Sequence, residues 1–295
     1  NVRKLLFSQD HKALLDGDPD NIVADKDDEK ILNSTPRILL HRMAAGLQSG
    51  ITNQSRSWFK LQTTDTRIAE YAAVRKWLDE ATETVSGMMN RSNVYPSLDQ
   101  TYMYLGEFGT SCGLCLPDDE TDVHIDICDT GSYWIAEDRR GRVNTLLRCI
   151  DLTLDQLRDE FGEGWMPTTL AERLNNQGAN EERVKVLNYI GPNPPDMIKD
   201  VAWNRPFVSI YYIEGNYSED NDGILAIRSF SYNPIIAPRW SVFNSVYGIG
   251  CGHIGLADAK MLQQMESDKL RVIELEVDPA MAAPAGMKNE QINTG

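Results

Sequence analysis

The chain has 295 residues, 41% of them hydrophobic and 25% charged, with a formal net charge of −15. That composition belongs to a folded chain rather than a disordered one, and no apolar run approaches the ~20 residues a membrane-crossing helix needs. An acidic surface repels a duplex on average, which excludes tight DNA binding by the whole surface but leaves room for a smooth passage through which DNA slides.

Residues 10–30 are acidic and turn-rich and read as a solvated arm or loop. A helix is expected over 34–50: Ser34 and Thr35 are cap candidates, Pro36 sits at a first helical position, Ile38, Leu39, Met43 and Leu47 recur at helical spacing, and Gly50 closes it. Residues 56–62 read as extended. Over 66–89 one apolar stripe runs through Ile68, Tyr71, Val74, Leu78, Ala81, Val85 and Met88, and 99–106 reads as a further helix. From 112 the period switches to two: Val123, Ile125 and Ile127 alternate with His124, Asp126 and Cys128, the pattern of a half-buried strand. Residues 133–151 read as strand, turn and strand, with the turn near Arg140 and Gly141. A helix over 153–162 has Thr153 as cap and Gly162 as stop, and 168–178 repeats the device. Strands are expected at 184–190, 207–215 and 223–230.

A segment rich in proline and glycine follows, NPIIAPRWSVFNSVYGIGCG at 233–252, and then a long helix over 254–277. Its 24 residues would make a rod of roughly 36 Å. Ile254, Met261, Leu262, Met265, Val272 and Ile273 are expected to share one face, with Glu266–Lys269 and Asp268–Arg271 as i,i+3 pairs on another.

Chemistry-bearing residues are present but do not assemble into a recognisable site. The five cysteines are an odd number, and reduced thiols are the default. Cys112 and Cys115 form a CxxC that enters a strand rather than opening a helix, so the context of a redox pair is missing. Adding His124 and Cys128 gives four zinc ligand types, and a zinc- or thiol-dependent enzyme is the alternative they suggest. On one strand His124 and Cys128 would be roughly 13 Å apart, so only a bend at Asp126 could bring them to one ion. Buried or half-buried thiols on ordinary strands are the simpler reading. His11, His41 and His253 are scattered. Gly248 and Gly250 begin a GxGxxG, but His253 stands where the third glycine is required. The carboxylate runs at 27–30, 118–120 and 218–222 lie in turn-like sequence and read as solvated loops.

The ordered elements AAGLQSGITNQSRSWFKLQ (44–62), GTSCGLCLPDD (109–119), YWIAEDRRGRVNTLLRCIDLTLDQLRDEFG (133–162) and the stretch from SFSYNPIIAPRW to the helix ending near 270 resemble the portal, or head-to-tail connector, proteins of tailed bacteriophages, closest to the short-tailed branch. The resemblance covers about 31–290. It implies an α+β fold: a wing-like body of mixed helices and antiparallel strands over 1–252, with an arm or loop at 1–33, a stem helix at 253–278, and the start of a clip region at 279–295. On this reading the chain is the N-terminal part of a longer protein, with a second stem helix and a crown still to follow. The family implies a structural, non-catalytic virion protein that needs no cofactor. It forms a ring, usually of twelve copies, at one capsid vertex and is assembled in the host cytoplasm. DNA enters and leaves through it without sequence-specific binding. Its partners are the major capsid protein, the large terminase subunit and tail adaptors, with no membrane involved. A tail adaptor ring is the other virion component the pattern could serve.

The resemblance also gives the proline- and glycine-rich segment a task, that of fixing the tilt of the stem helix. Pro234 and Pro238 fix φ and remove donors. Trp240 is expected to bury a large face, and Arg239 to pair with a carboxylate or a neighbouring subunit. Gly248, Gly250 and Gly252 permit a tight turn. Lys260, Lys269 and Arg271 are the candidate channel-lining cations.

Overall fold

The computed structural model describes residues 31–162, 183–193, 205–213 and 223–278. The arm expected up to residue 30, His11, the helix at 168–178, the carboxylates at 218–222 and the region 279–295 lie outside them.

The described chain is α+β, with helices first and antiparallel strands after. Helix α1 (Thr35–Ile51) starts at the expected place with proline in its first turn, where a missing N–H costs nothing because no intrahelical partner exists there. Its inward face is Leu40 and Ala44, whereas Ile38 and Leu39 are exposed. The single helix expected over 66–89 is two: α2 (Thr66–Ala69) and α3 (Ala72–Arg91). Tyr71 breaks it by adopting extended backbone, ψ 126°, and its ring is exposed together with Ile68. Helix α4 (Val94–Phe108) begins five residues before the expected 99, with Pro96 in its first turn. It packs on α1 at Gly106, where a Cβ would run into the side chains of Met43 and Leu40. Residues 56–62 form no strand.

Strands β1 (Gly113–Asp118) and β2 (Asp122–Ile127) form a hairpin. The two-residue β8 (Ile235–Ile236) pairs with the other edge of β1, giving the order β2-β1-β8. Strands β3 (Tyr133–Glu137), β4 (Val143–Thr153), β5 (Arg183–Pro192), β6 (Phe207–Ile213) and β7 (Ile224–Phe230) form an antiparallel meander in sequence order. Helix α5 (Leu154–Phe161) follows β4 through a capping box: Thr153 Oγ1 accepts from the N–H of Gln156, and Gln156 Oε1 accepts from the N–H of Thr153.

One face of the five-stranded sheet carries two apolar clusters. Leu154, Leu157 and Phe161 of α5 cover Val184, Val186, Tyr211 and Ile213. The small sheet, through Cys112, Leu114 and Ile235, covers Ile135, Leu146 and Ile190. Between the clusters runs a polar rung. Arg148 Nε donates to Asn188 Oδ1 (3.0 Å), and Asn188 Nδ2 donates to Ser209 Oγ (2.9 Å), all three residues buried.

The described residues close with a short α6 (Cys251–Ile254) and a long α7 (Leu256–Val277), divided at Gly255. The residues expected to share one apolar face of the last helix are left uncovered by the described chain: Ile254, Met261, Met265, Val272 and Ile273 are all exposed, and of the six only Leu262 is half-buried. Helical periodicity identifies an apolar stripe correctly, but cannot say whether anything in the same chain covers it.

Candidate functional site

Residues 233–252 dock onto the C-terminal end of α4, and the docking is almost entirely backbone. Pro234 and Pro238 flank β8. Neither has an N–H to give, but their carbonyls accept from Cys115 (2.9 Å) and Ser111 (3.2 Å), so each proline keeps its useful polar group towards the sheet. Trp240 donates its N–H to the Gly109 carbonyl (2.8 Å), and Gly248 donates to Thr110 Oγ1 (2.7 Å).

Gly109 closes α4 in the left-handed region at φ +74°, which favours glycine. Its vacant Cβ position is filled by the backbone of Gly248, Ile249 and Gly250. Reciprocally, a Cβ on Gly250 would stand 2.5 Å from the Gly109 nitrogen and 2.7 Å from the Leu105 and Gly106 carbonyl oxygens, and one on Gly248 would strike the Gly109 oxygen. Three glycines therefore interlock. Gly252 is half-buried in the first turn of α6 and lines an apolar groove between α1 and the root of α7.

Arg239 ties the segment to the five-stranded sheet. It donates to Glu137 Oε2 (2.7 Å), the Val246 carbonyl (3.0 Å) and the Gly141 carbonyl (2.6 Å), and its side chain is 14% exposed. The planar fork serves an ion pair and two loop carbonyls at once. Trp240 differs from expectation: its ring is 44% exposed, because its N–H makes the anchor while the glycine backbone already fills the space at the helix end. His253, without an assigned part in the sequence, accepts from the N–H of Gly250 through Nδ1 (3.3 Å) and caps α6.

Among the described residues, helix α7 touches the body only at its root. Leu256 packs on Leu40 and Met43 of α1. Gln263 accepts from the N–H of Leu32 (2.8 Å) and of Asn33 (3.1 Å) and donates to the Asn33 carbonyl (2.7 Å). Sequence reasoning missed this clamp because an isolated glutamine carries no positional signal. Beyond it every residue of 264–277 is exposed except half-buried Glu266. Lys260, Lys269 and Arg271 are all exposed, but not on one side. Lys260 and Arg271 are eleven residues apart, close to three whole turns, whereas Lys269 lies about two and a half turns from Lys260 and points the opposite way.

Of the four cysteine and histidine candidates, the structure joins two. Cys112 and Cys128 stand directly opposite each other beyond the last β1–β2 pair, with the Cys128 N–H on the Cys112 carbonyl (2.8 Å), and both are buried. Their shared thiol hydrogen bond pushes Cys112 up, further raised by burial, and pulls Cys128 down, helped by the nearby Arg148 guanidinium. Cys115 is half-buried, and His124 pairs with Leu116 at the exposed end of the hairpin. Among the described residues no three His, Cys, Asp or Glu gather to hold a metal. The alternation expected for β2 also fails at Cys128, which turns into the core. Asp126, on the same side, meets buried Arg148 and thereby ties the two sheets together. None of the described helices is long and apolar enough to cross a membrane.

The geometry is that of a scaffold. An α+β body carries a clamped turn, and a long helix leaves the body from it. Comparisons with known proteins agree with it. A family model described as "Bacteriophage head to tail connecting protein" matches residues 12–295. The chain is 34% identical over 272 residues to a protein named "Portal protein" from Salmonella phage epsilon15, covering 91% of this chain and 48% of that protein. It is 33% identical over 274 residues to a "Probable portal protein" from Bordetella phage BPP-1, covering 92% and 48% respectively. The chain thus spans about half the length of these relatives.

Proposed function

The chain belongs to the bacteriophage head-to-tail connecting protein family, and from that premise we propose that it is a structural subunit of a portal ring. Copies stand side by side at one capsid vertex around a bore that passes double-stranded DNA inwards during packaging and outwards during ejection. Residues 1–252 serve as the wing-like body, 253–278 as the stem helix and 279–295 as the start of the clip. The ring, of about twelve copies as the resemblance in the sequence suggests, is built in the host cytoplasm and ends in the virion. There it meets the major capsid protein, the packaging terminase and tail adaptors.

One observation carries this reading: α7 projects from the body with no cover from the described residues of its own chain beyond its root. The uncovered stretch 264–277 would be marginal as an isolated helix in water, and its exposed apolar residues are costly unless neighbours bury them. Interlocked Gly109, Gly248 and Gly250, with Arg239 bound to Glu137, fix the angle at which α7 departs. That is the property a set of identical staves needs to close on a bore of constant width. Helix α7 carries five carboxylates against three cations, so the wall it forms attracts phosphates weakly and lets a duplex slide.

Native mass measurement and electron microscopy of the full-length chain test the proposal. The expected result is a closed ring with a central opening. A monomer at every concentration, or a compact dimer without a bore, overturns it. A tail adaptor would also form a ring, but both named relatives are called portal proteins.

A further inference from the structure

The β1–β2 hairpin runs one rung further than its strands. Gly113 pairs with Ile127, and beside them the N–H of Cys128 donates to the Cys112 carbonyl (2.8 Å). Cys112 and Cys128 thus face each other across an antiparallel pair, and both side chains enter the apolar cluster that holds Leu114 and Tyr133. Directly opposite residues hold their Cα atoms about 4.5–5.5 Å apart, inside the roughly 4.4–6.8 Å that a disulfide spans. The two thiols already share a hydrogen bond. Cys115, an odd number of residues from Cys112, falls on the other face of β1.

The pair lies under the clamped turn. Ser111 and Cys115 give their N–H groups to the carbonyls of Pro238 (3.2 Å) and Pro234 (2.9 Å), so Cys112 sits in the short stretch that holds both prolines. Strand β2 is an edge of its sheet, Cys128 follows its last residue, and a turn with Gly131 at φ +98° comes next. A strand end of this kind opens locally more readily than the sheet unfolds, which gives a small reagent access to Cys128.

We propose that Cys112 and Cys128 are a dithiol that closes to an intramolecular disulfide on meeting a low-molecular-weight disulfide of the glutathione class, fastening β2 to the stretch that holds Pro234 and Pro238. Cys128 attacks first, its thiol pKa drawn down by the hydrogen bond from Cys112 and by the Arg148 guanidinium. Its sulfur forms a mixed disulfide and expels one small thiolate, which takes up the Cys128 proton. The Cys112 sulfur then displaces the second small thiolate, which takes up the Cys112 proton. Two electrons and two protons pass from the pair to the reagent, and one S–S bond replaces another. The bond forms inside one subunit and does not depend on the ring reading.

The full-length chain is incubated with oxidised glutathione, quenched in acid, alkylated after denaturation and digested without reduction for mass spectrometry. The expected product is a peptide containing Cys112 joined to one containing Cys128, absent when dithiothreitol precedes the quench. Both thiols recovered as alkylated cysteines, a glutathione adduct that stays on Cys128, or Cys112 joined to any other cysteine overturns the proposal. Hydrogen exchange reads the fastening: the N–H groups of Ser111 and Cys115 should exchange more slowly in the disulfide form than in the dithiol form, and equal rates overturn that part.

Discussion

Gly250 presents its missing side chain to the backbone of Leu105, Gly106 and Gly109, and backbone cannot swing aside as a flexible side chain can. Gly250→Ala is expected to cost about 1–3 kcal/mol through overpacking, measured as a lower urea midpoint. Gly46→Ala, where nothing stands within 4 Å, serves as the control and should be neutral or slightly stabilising. Arg239 divides its donors among one carboxylate and two carbonyls, so Arg239→Lys keeps the charge but not the fork. A loss of about 1–3 kcal/mol is expected from the carbonyl left unmet, against no change if charge alone mattered. Asp138 accepts from the N–H groups of Arg142 and Arg140 and pairs with the Arg142 guanidinium, and these hold its carboxyl below the usual value. Its contribution is present above the unfolded-state pKa and is lost as pH falls through the depressed folded value. Thermal melts of wild type should accordingly converge on those of Asp138→Asn as the solution is acidified below pH ~4, and a constant gap would refute the assignment. Much of this detail was legible: two prolines before Arg239 and three glycines after it announce a built turn. The partners were not, because Gly109, Thr110 and Glu137 lie about a hundred residues or more away, and no local pattern joins them.

The polar rung Arg148–Asn188–Ser209 crosses three strands between two apolar clusters and leads out to Asp126 on the other sheet. Burial opposes the Arg148 charge, and the Asp126 carboxylate together with Cys128 and Tyr211 more than offsets it. Asn188→Leu should therefore cost about 1–3 kcal/mol, since it strands two buried partners. Adding Arg148→Met should recover part of that loss, since an apolar replacement leaves no orphaned charge; a double variant weaker than the sum of the singles would be evidence against a coupled rung. The strands themselves were readable, β5 to β7 to within a few residues, because alternation survives where one face is buried and the other is wet. The helices were less so. Pro96 hides the start of α4, although proline is tolerated in a first turn. The break at Tyr71 has neither glycine nor proline to mark it. In β2, Cys128 and Asp126 lie on the side that alternation assigns to solvent, yet a second sheet lies there.

For the whole molecule the net charge of −15 and the helical geometry of α7 make a sharper statement than three cations taken together. Lys260 and Arg271 share a side, and Lys269 does not. In a ring, Lys260→Glu with Arg271→Glu should alter DNA packaging yield or the conductance of the reconstituted channel, whereas Lys269→Glu should alter neither beyond a minor degree. The reverse ranking would place the bore on the other side of the helix. The α+β architecture and its terminal helix could be read from one chain because they are properties of one chain. What covers Met261, Met265 and Val272 could not, since the described residues leave all three exposed. Gln263 adds a mechanical consequence. By gripping the backbone at Leu32 and Asn33 it acts as a pivot pin, and the 14 residues beyond it form a lever arm of about 21 Å. A rotation of about five degrees at that pin sweeps the tip through about 2 Å, so the position of the helix tip is geared to the residues just before α1.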